Sequence, residues 1–199
     1  MASRQRCPVC GSPNARTERP PRYEYTYCGL SGVVLEGDAV VLTGCDHCGE
    51  STSMIQNEAQ LLQVIGLAIV LSGPGLTGEE LAYLRSLCGI SQEDLARAIG
   101  RSRRETIADW EGRGSGRVFQ KPFDELNLRV VLLSLFKQRV VDSRWCCLSA
   151  RHLAQFQEAT ASFVAHVGDL LATAPVHAPL RLRRTATTGE WRPSIRRAA

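Results

Sequence analysis

No stretch of this sequence is apolar for long enough to cross a bilayer. The longest nearly apolar run, Leu61 to Leu71, is about eleven residues and is interrupted by Gln63, well short of the roughly 20 that a spanning helix needs. The N-terminus, MASRQRCPVCG, has no apolar stretch behind its charges, so no secretory signal is expected and a cytoplasmic address follows. Recognisable catalytic apparatus is lacking as well. The four histidines, His47, His152, His166 and His177, show no zinc-hydrolase spacing, no phosphate-cradling glycine loop is followed by lysine, and no nucleophile has an evident partner. An enzyme is not expected. Eight cysteines suggest a disulfide scaffold only in a short secreted chain, and this chain is neither short nor signalled for export.

What is present fits a globular protein of two small domains: 199 residues, 44% hydrophobic and 22% charged. The net charge of +4 is unevenly placed. Residues 181–199 hold six arginines against Glu190, while residues 1–180 hold 18 basic and 19 acidic groups and sum to −1. The body is not basic. Residues 174–199, rich in proline, threonine and arginine without periodicity, are expected to form a basic, disordered tail that could add salt-dependent phosphate contacts.

Four of the cysteines form two Cys-x-x-Cys knuckles, Cys7-Pro-Val-Cys10-Gly and Cys45-Asp-His-Cys48-Gly, separated by 34 residues. Paired knuckles of this kind place four thiolates around one tetrahedral zinc at about 2.3 Å each. Cys7, Cys10, Cys45 and Cys48 are the expected ligands of one structural Zn²⁺ per chain, with no open position for water. Gly11 and Gly49 allow the turns that aim backbone amides at sulfur. Cys28 and His47 are expected not to be ligands, because four cysteines already close the site. Between the knuckles, the alternating Tyr23–Cys28 and the β-branched runs Val33–Gly37 and Ala39–Thr43 read as one strand plus a hairpin turning at Gly37-Asp38.

Ile55 to Leu71 is expected to be a helix, and Ser72-Gly-Pro-Gly75 reads as a linker. Thr77 with Glu80 forms a capping box for a helix whose stripe is Leu81, Leu84 and Leu87. Ser91 caps a further helix carrying Leu95, Ala96 and Ile99, which Gly100 ends. Ser102-Arg-Arg-Glu105 reads as a second capping box, opening a helix whose inward edge is Ile107 and Trp110. Helix, glycine turn and helix make a helix-turn-helix, the second helix being free to enter a major groove. A glycine-rich turn (Gly112–Gly116) leads to a helix over Phe123–Gln138. Leu126, Val130 and Leu133, with Val131 and Leu135 beside them, could face either a partner or the chain's own core. A last helical segment covers Leu148–Ala172, and the adjacent Cys146 and Cys147 are expected to be buried small hydrophobes.

The fold class is therefore α+β: a small β-rich four-cysteine zinc domain (1–54), a connecting helix and linker (55–75), an all-α helix-turn-helix domain (76–140), an additional helical segment (141–173) and the tail (174–199). The segments CPVCG, YEYTYCGLSGVVLEGDAVVLTGCDHCGES, LTGEELAYLRSLCGISQEDLARAIG and ADWEGRG resemble, in that order, a YgiT-type zinc finger followed by the helix-turn-helix of phage-repressor-like (XRE) regulators, as in the MqsA family of antitoxins. That resemblance implies a homodimer on a palindromic double-stranded DNA operator, and a cognate toxin as possible protein partner. Two departures stand out. The anchors Ile107 and Trp110 lie one residue further from the turn glycine than the family pattern has them, and Asp109 stands where a basic residue is common.

With Ile107 and Trp110 inward, Arg104, Glu105, Ala108 and Asp109 fall on the outward arc, with Arg103 at its tip and Thr106 at its edge. Arg103 and Arg104 are the expected base readers, since arginine grips guanine O6 and N7 in a bidentate fork. Gln92 and Ser102 are the expected phosphate contacts, Gln92 by analogy with the XRE glutamine, and Thr106 is the fifth candidate. The competing reading is an adaptor whose zinc domain and helices grip a protein, with the helix-turn-helix used for protein contacts rather than DNA.

Overall fold

The computed structural model describes residues 4–101, 103–165 and 179–193 of the chain. A β-rich N-terminal region holds β1 (Arg4–Gln5), β2 (Ala15–Glu18), β3 (Arg22–Glu24), β4 (Val33–Glu36), β5 (Val40–Cys45) and β6 (Ser51–Ile55). Six helices follow: α1 (Glu58–Val70), α2 (Gly78–Leu87), α3 (Gln92–Ala98), α4 (Arg104–Glu111), α5 (Pro122–Phe136), which runs into a π-helical turn at Lys137–Val141, and α6 (Ala150–Ala165). Two strands close the chain, β7 (Leu180–Arg184) and β8 (Trp191–Pro193). None of the helices among the described residues is long and apolar enough to cross a membrane.

The strands form two four-stranded sheets, ordered β1-β2-β5-β6 and β3-β4-β7-β8. The expected hairpin between Val33–Gly37 and Ala39–Thr43 does not form. The chain turns at Gly37 and Asp38, whose φ of 58° is left-handed, but β4 joins the second sheet and β5 the first. Burial gives the reason. Val33, Val34 and Leu35 are 2%, 4% and 1% exposed, and Val40 and Val41 are 1% and 8%. Consecutive apolar residues need cover on both faces of a strand, which a lone hairpin with one wet face cannot supply.

The tail is a second correction. Leu180 and Leu182 point inward while Arg183 points out, and β7 pairs parallel with β4 in register Val33↔Leu180 to Glu36↔Arg183. On β8 Trp191 is fully buried: its Nε1 donates to the Gln56 carbonyl (3.1 Å) and its backbone N–H to Gln60 Oε1 (3.2 Å). His152 holds it from the other side. The Ser149 N–H donates to His152 Nδ1 (3.2 Å), so the proton sits on Nε2 and is donated to the Trp191 carbonyl (2.9 Å). Residues 174–178 and 194–199 of the expected tail, and 166–172 of the expected last helix, lie outside the described residues.

Nor is Ser72–Gly75 a loose linker. The Glu125 carboxylate, 1% exposed, accepts the N–H groups of Gly75 (2.8 Å) and Leu76 (3.1 Å) and pairs with Arg129, which donates to the carbonyls of Ser72 (2.7 Å) and Gly73 (2.6 Å). One continuous core runs from Tyr25 on the N-terminal side to Trp191, with Leu61, Val64, Ile65 and Ile69 of α1 at its centre. The boundary expected at residue 75 is thus crossed by packing as well as by chain. A side chain aimed at residues fifty positions away leaves no trace in local composition.

Thr77 caps α2 in a full capping box with Glu80, and Ser91 caps α3 by accepting from the Asp94 N–H, both as the sequence predicts. Gly78 lets the start of α2 abut the end of α4: a Cβ there would lie 2.6 Å from the Trp110 carbonyl oxygen and 2.7 Å from that of Glu111. On α5, Leu128, Leu132 and Phe136 form the intrachain stripe and Val130 is left 49% exposed. Cys147 is exposed and Cys146 only half-buried, so burial as a pair is not their state.

Candidate metal centre and candidate nucleic-acid interface

Each knuckle is built by its own backbone. Gly11 N–H bonds back to the Cys7 carbonyl and Gly49 N–H to that of Cys45, both at 2.9 Å, and both glycines have φ of 73°. Pairing of β2 with β5 puts Ala15 opposite Cys45 and draws the knuckles together. The sulfurs of Cys7, Cys10, Cys45 and Cys48 all lie within 4.8 Å of one another, with Cys7–Cys48 at 3.8 Å and Cys10–Cys45 at 3.6 Å. A tetrahedron with metal–sulfur bonds of about 2.3 Å has sulfur–sulfur edges of about 3.8 Å. The fit is to one structural zinc ion.

The electrostatics agree. The Cys10 amide directed at Cys7 outweighs desolvation and, with the Val9 N–H at 3.4 Å, holds the Cys7 thiol down to about 6. At Cys48 the Glu50 amide pulls the other way, but desolvation and the three neighbouring sulfurs push that thiol up to about 12. Four thiolates this close need a cation among them. Cys28 and His47 stand apart from the cluster, and the Cys28 thiol donates to the Tyr25 carbonyl at 3.8 Å.

The second site is the α2–α3–α4 unit. After α3 the Gly100 N–H bonds to the Arg97 carbonyl (3.1 Å) and the Arg101 N–H to that of Ala96 (2.8 Å), the paired bonds of a Schellman end. The chain then runs to Arg103, the N-cap of α4, which makes no side-chain cap bond. The expected capping box opens on Ser102, which lies outside the described residues. Ile107 is fully buried, and Trp110, half-buried, meets Phe119 edge-on at 4.8 Å.

Arg103 and Arg104 are exposed, and among the described residues neither makes an ion pair; Glu105 and Asp109 are exposed beside them and Thr106 is half-buried. Gln92 is not free. Its Nε2 donates to Glu111 Oε2 at 2.7 Å. Glu111 also takes Arg85 in a two-pronged pair, Nε–Oε1 2.5 Å and Nη2–Oε2 3.1 Å, and Arg85 Nη1 donates to the Ile90 carbonyl at 2.9 Å. This half-buried network ties α2, the start of α3 and the end of α4. It was not legible in the sequence, where Arg85 and Glu111 stand 26 positions apart, beyond any helical spacing. Compared with known proteins, the chain matches no family model, no curated protein and no solved structure.

Proposed function

We propose that this protein is a sequence-specific DNA-binding transcriptional regulator carrying a structural zinc, whose α3–α4 pair is a helix-turn-helix of the XRE type. On this reading it acts as an MqsA-like antitoxin that represses its own operon as a homodimer and receives a toxin on its zinc region. The observation that carries it is a pair of exposed arginines, Arg103 and Arg104, without an ion pair among the described residues, at the N-terminal tip of a short helix held at a fixed angle by Glu111, Arg85 and Gln92. In a major groove these forks would read guanine edges. Gln92, oriented by Glu111, keeps a second amide hydrogen for a phosphate oxygen, and Ser102, next to Arg103 in the sequence, is the candidate for another. Thr106 would approach the groove wall.

A second reading, protein docking through the same helices, is favoured by the exposed Glu105 and Asp109 and by Arg97, which is neutralised by Glu93 and Asp94 at 3.1 and 3.2 Å. Fluorescence anisotropy on the chain's own upstream DNA against a scrambled duplex separates the two. Arg103→Ala and Arg104→Ala should each remove about 1–3 kcal/mol of preference for the specific duplex while zinc content and helicity stay unchanged. Equal binding of both duplexes by the parent protein would exclude the DNA reading.

A further inference from the structure

The two sheets have four edges, and three are protected against pairing. β1, whose described part is Arg4–Gln5, carries a charged residue in the sequence. β3 is three residues, follows Pro20-Pro21 and carries Arg22 and Glu24. β8 carries Arg192 and Pro193. Short length, charge and proline are the devices that keep sheet edges from pairing. β6 has none of them. Its five residues, Ser51-Thr-Ser-Met-Ile55, pair with β5 alone among the described strands; Ile55 packs inward against the main core, and no described strand lies on the edge away from β5. Met54 on this edge is 59% exposed.

We propose that β6 is an interface between two copies of this chain, paired antiparallel about Ser53 so that the first sheets of the two copies become one eight-stranded sheet. The sequence is self-complementary in that register. Ser53 lies opposite its own copy, Thr52 opposite the second copy's Met54, and Ser51 opposite its Ile55. No like charges meet within the strand, and Glu50 falls opposite the second copy's Gln56, an amide that can donate to it. Side chains diagonal across an antiparallel pair are about 7–8 Å apart and within reach when long, so the two Met54 side chains meet across the axis and cover each other. A charged foreign peptide would leave that methionine wet. The pairing supplies a contact for the homodimer of the proposed function: a dimer indifferent to the edge variants overturns this interface alone, whereas a monomer counts against the homodimer as well and leaves the α3–α4 contact with DNA to its own test.

Sedimentation equilibrium of the zinc-loaded full chain without DNA tests it, with zinc content and circular dichroism as controls of folding. The chain should be dimeric in the micromolar range. Met54→Lys and Thr52→Glu, each placing a charge opposite an uncharged partner on an edge that must be desolvated, should each weaken the dimer roughly tenfold or more. The double variant Thr52→Glu/Met54→Lys sets a carboxylate opposite an ammonium on both sides of the axis and should restore it. Should either single variant lose zinc or helicity, Ser53→Lys, which opposes two ammonium groups on the axis itself, takes its place and should dissociate the dimer. A monomer throughout the micromolar range, a dimer indifferent to these edge variants, or no rescue by the double variant would overturn the proposal.

Discussion

Replacing Glu125 by alanine tests whether the N-terminal strands and the helices form one cooperative body. The carboxylate is 1% exposed and satisfies two backbone amides and a guanidinium. Removing it strands the Arg129 charge, whose side chain is only 8% exposed, and orphans the N–H groups of Gly75 and Leu76. Breaking a buried pair by removing one partner costs about 3–5 kcal/mol, and against a total stability of about 5–15 kcal/mol that is a large share. At about 2–4 °C per kcal/mol for a chain of this size, the melting temperature should fall by about 6–20 °C. Glu125→Gln, which keeps an acceptor but not the charge, should lose less. Glu125→Leu/Arg129→Met removes both buried charges and should recover part of the loss, the Ser72 and Gly73 carbonyls remaining without their donor. The assay is urea unfolding of zinc-loaded protein followed by far-ultraviolet circular dichroism and by tryptophan fluorescence, since Trp191 joins the closing strands to α1. Coincident transitions in the parent protein and a loss above about 2 kcal/mol in the alanine variant are expected. Separate transitions, or a loss under about 1 kcal/mol, would refute a shared core clamped at Ser72–Leu76.

Cys45→Ser should abolish stoichiometric zinc binding and loosen β1, β2 and the knuckles, whose small core of Cys7, Ala15 and Cys45 is separate from the main one; unchanged metal content on assay would reject the ligand set. His152 should make stability pH-dependent. Burial lowers its pKa in the folded protein, so below the ordinary histidine value of about 6.5 the unfolded chain binds the extra proton first, and stability is lost as pH falls through that window, by up to about 1.4 kcal/mol per unit. Glu190, Arg192 and Arg151 are the charges that bear on it. In His152→Gln the component should vanish from denaturant midpoints compared between pH 7 and pH 5.5, and an unaltered slope would show that His152 does not carry it.

What was legible in the sequence was what short-range chemistry writes locally. The cysteine knuckles declare four ligands because a metal fixes both residue type and spacing. Thr77 with Glu80 and Ser91 before Gln92 declare helix starts because a cap satisfies amides two or three residues away. Long-range partners were not written there. Gly37-Asp38 announces a turn without saying whether the strands it separates rejoin, and the answer lies in Leu180–Arg184, more than 140 residues on. That segment does alternate, Leu-Arg-Leu-Arg, but arginine-rich composition outweighed a period visible over only four residues. Nothing near Glu125 or Glu111 in the sequence reveals that Arg129 faces the core or that Arg85 arrives from another helix.

The measurement that bears most directly on the function is a footprint of the purified zinc-loaded chain on its own upstream DNA at about 0.15 M salt, where non-specific phosphate binding is suppressed. The account predicts a discrete protected palindrome that disappears in the Arg103→Ala/Arg104→Ala variant. Folded, zinc-loaded protein that leaves no discrete footprint would contradict it and make the exposed carboxylates Glu105 and Asp109 the starting point for a protein-docking role.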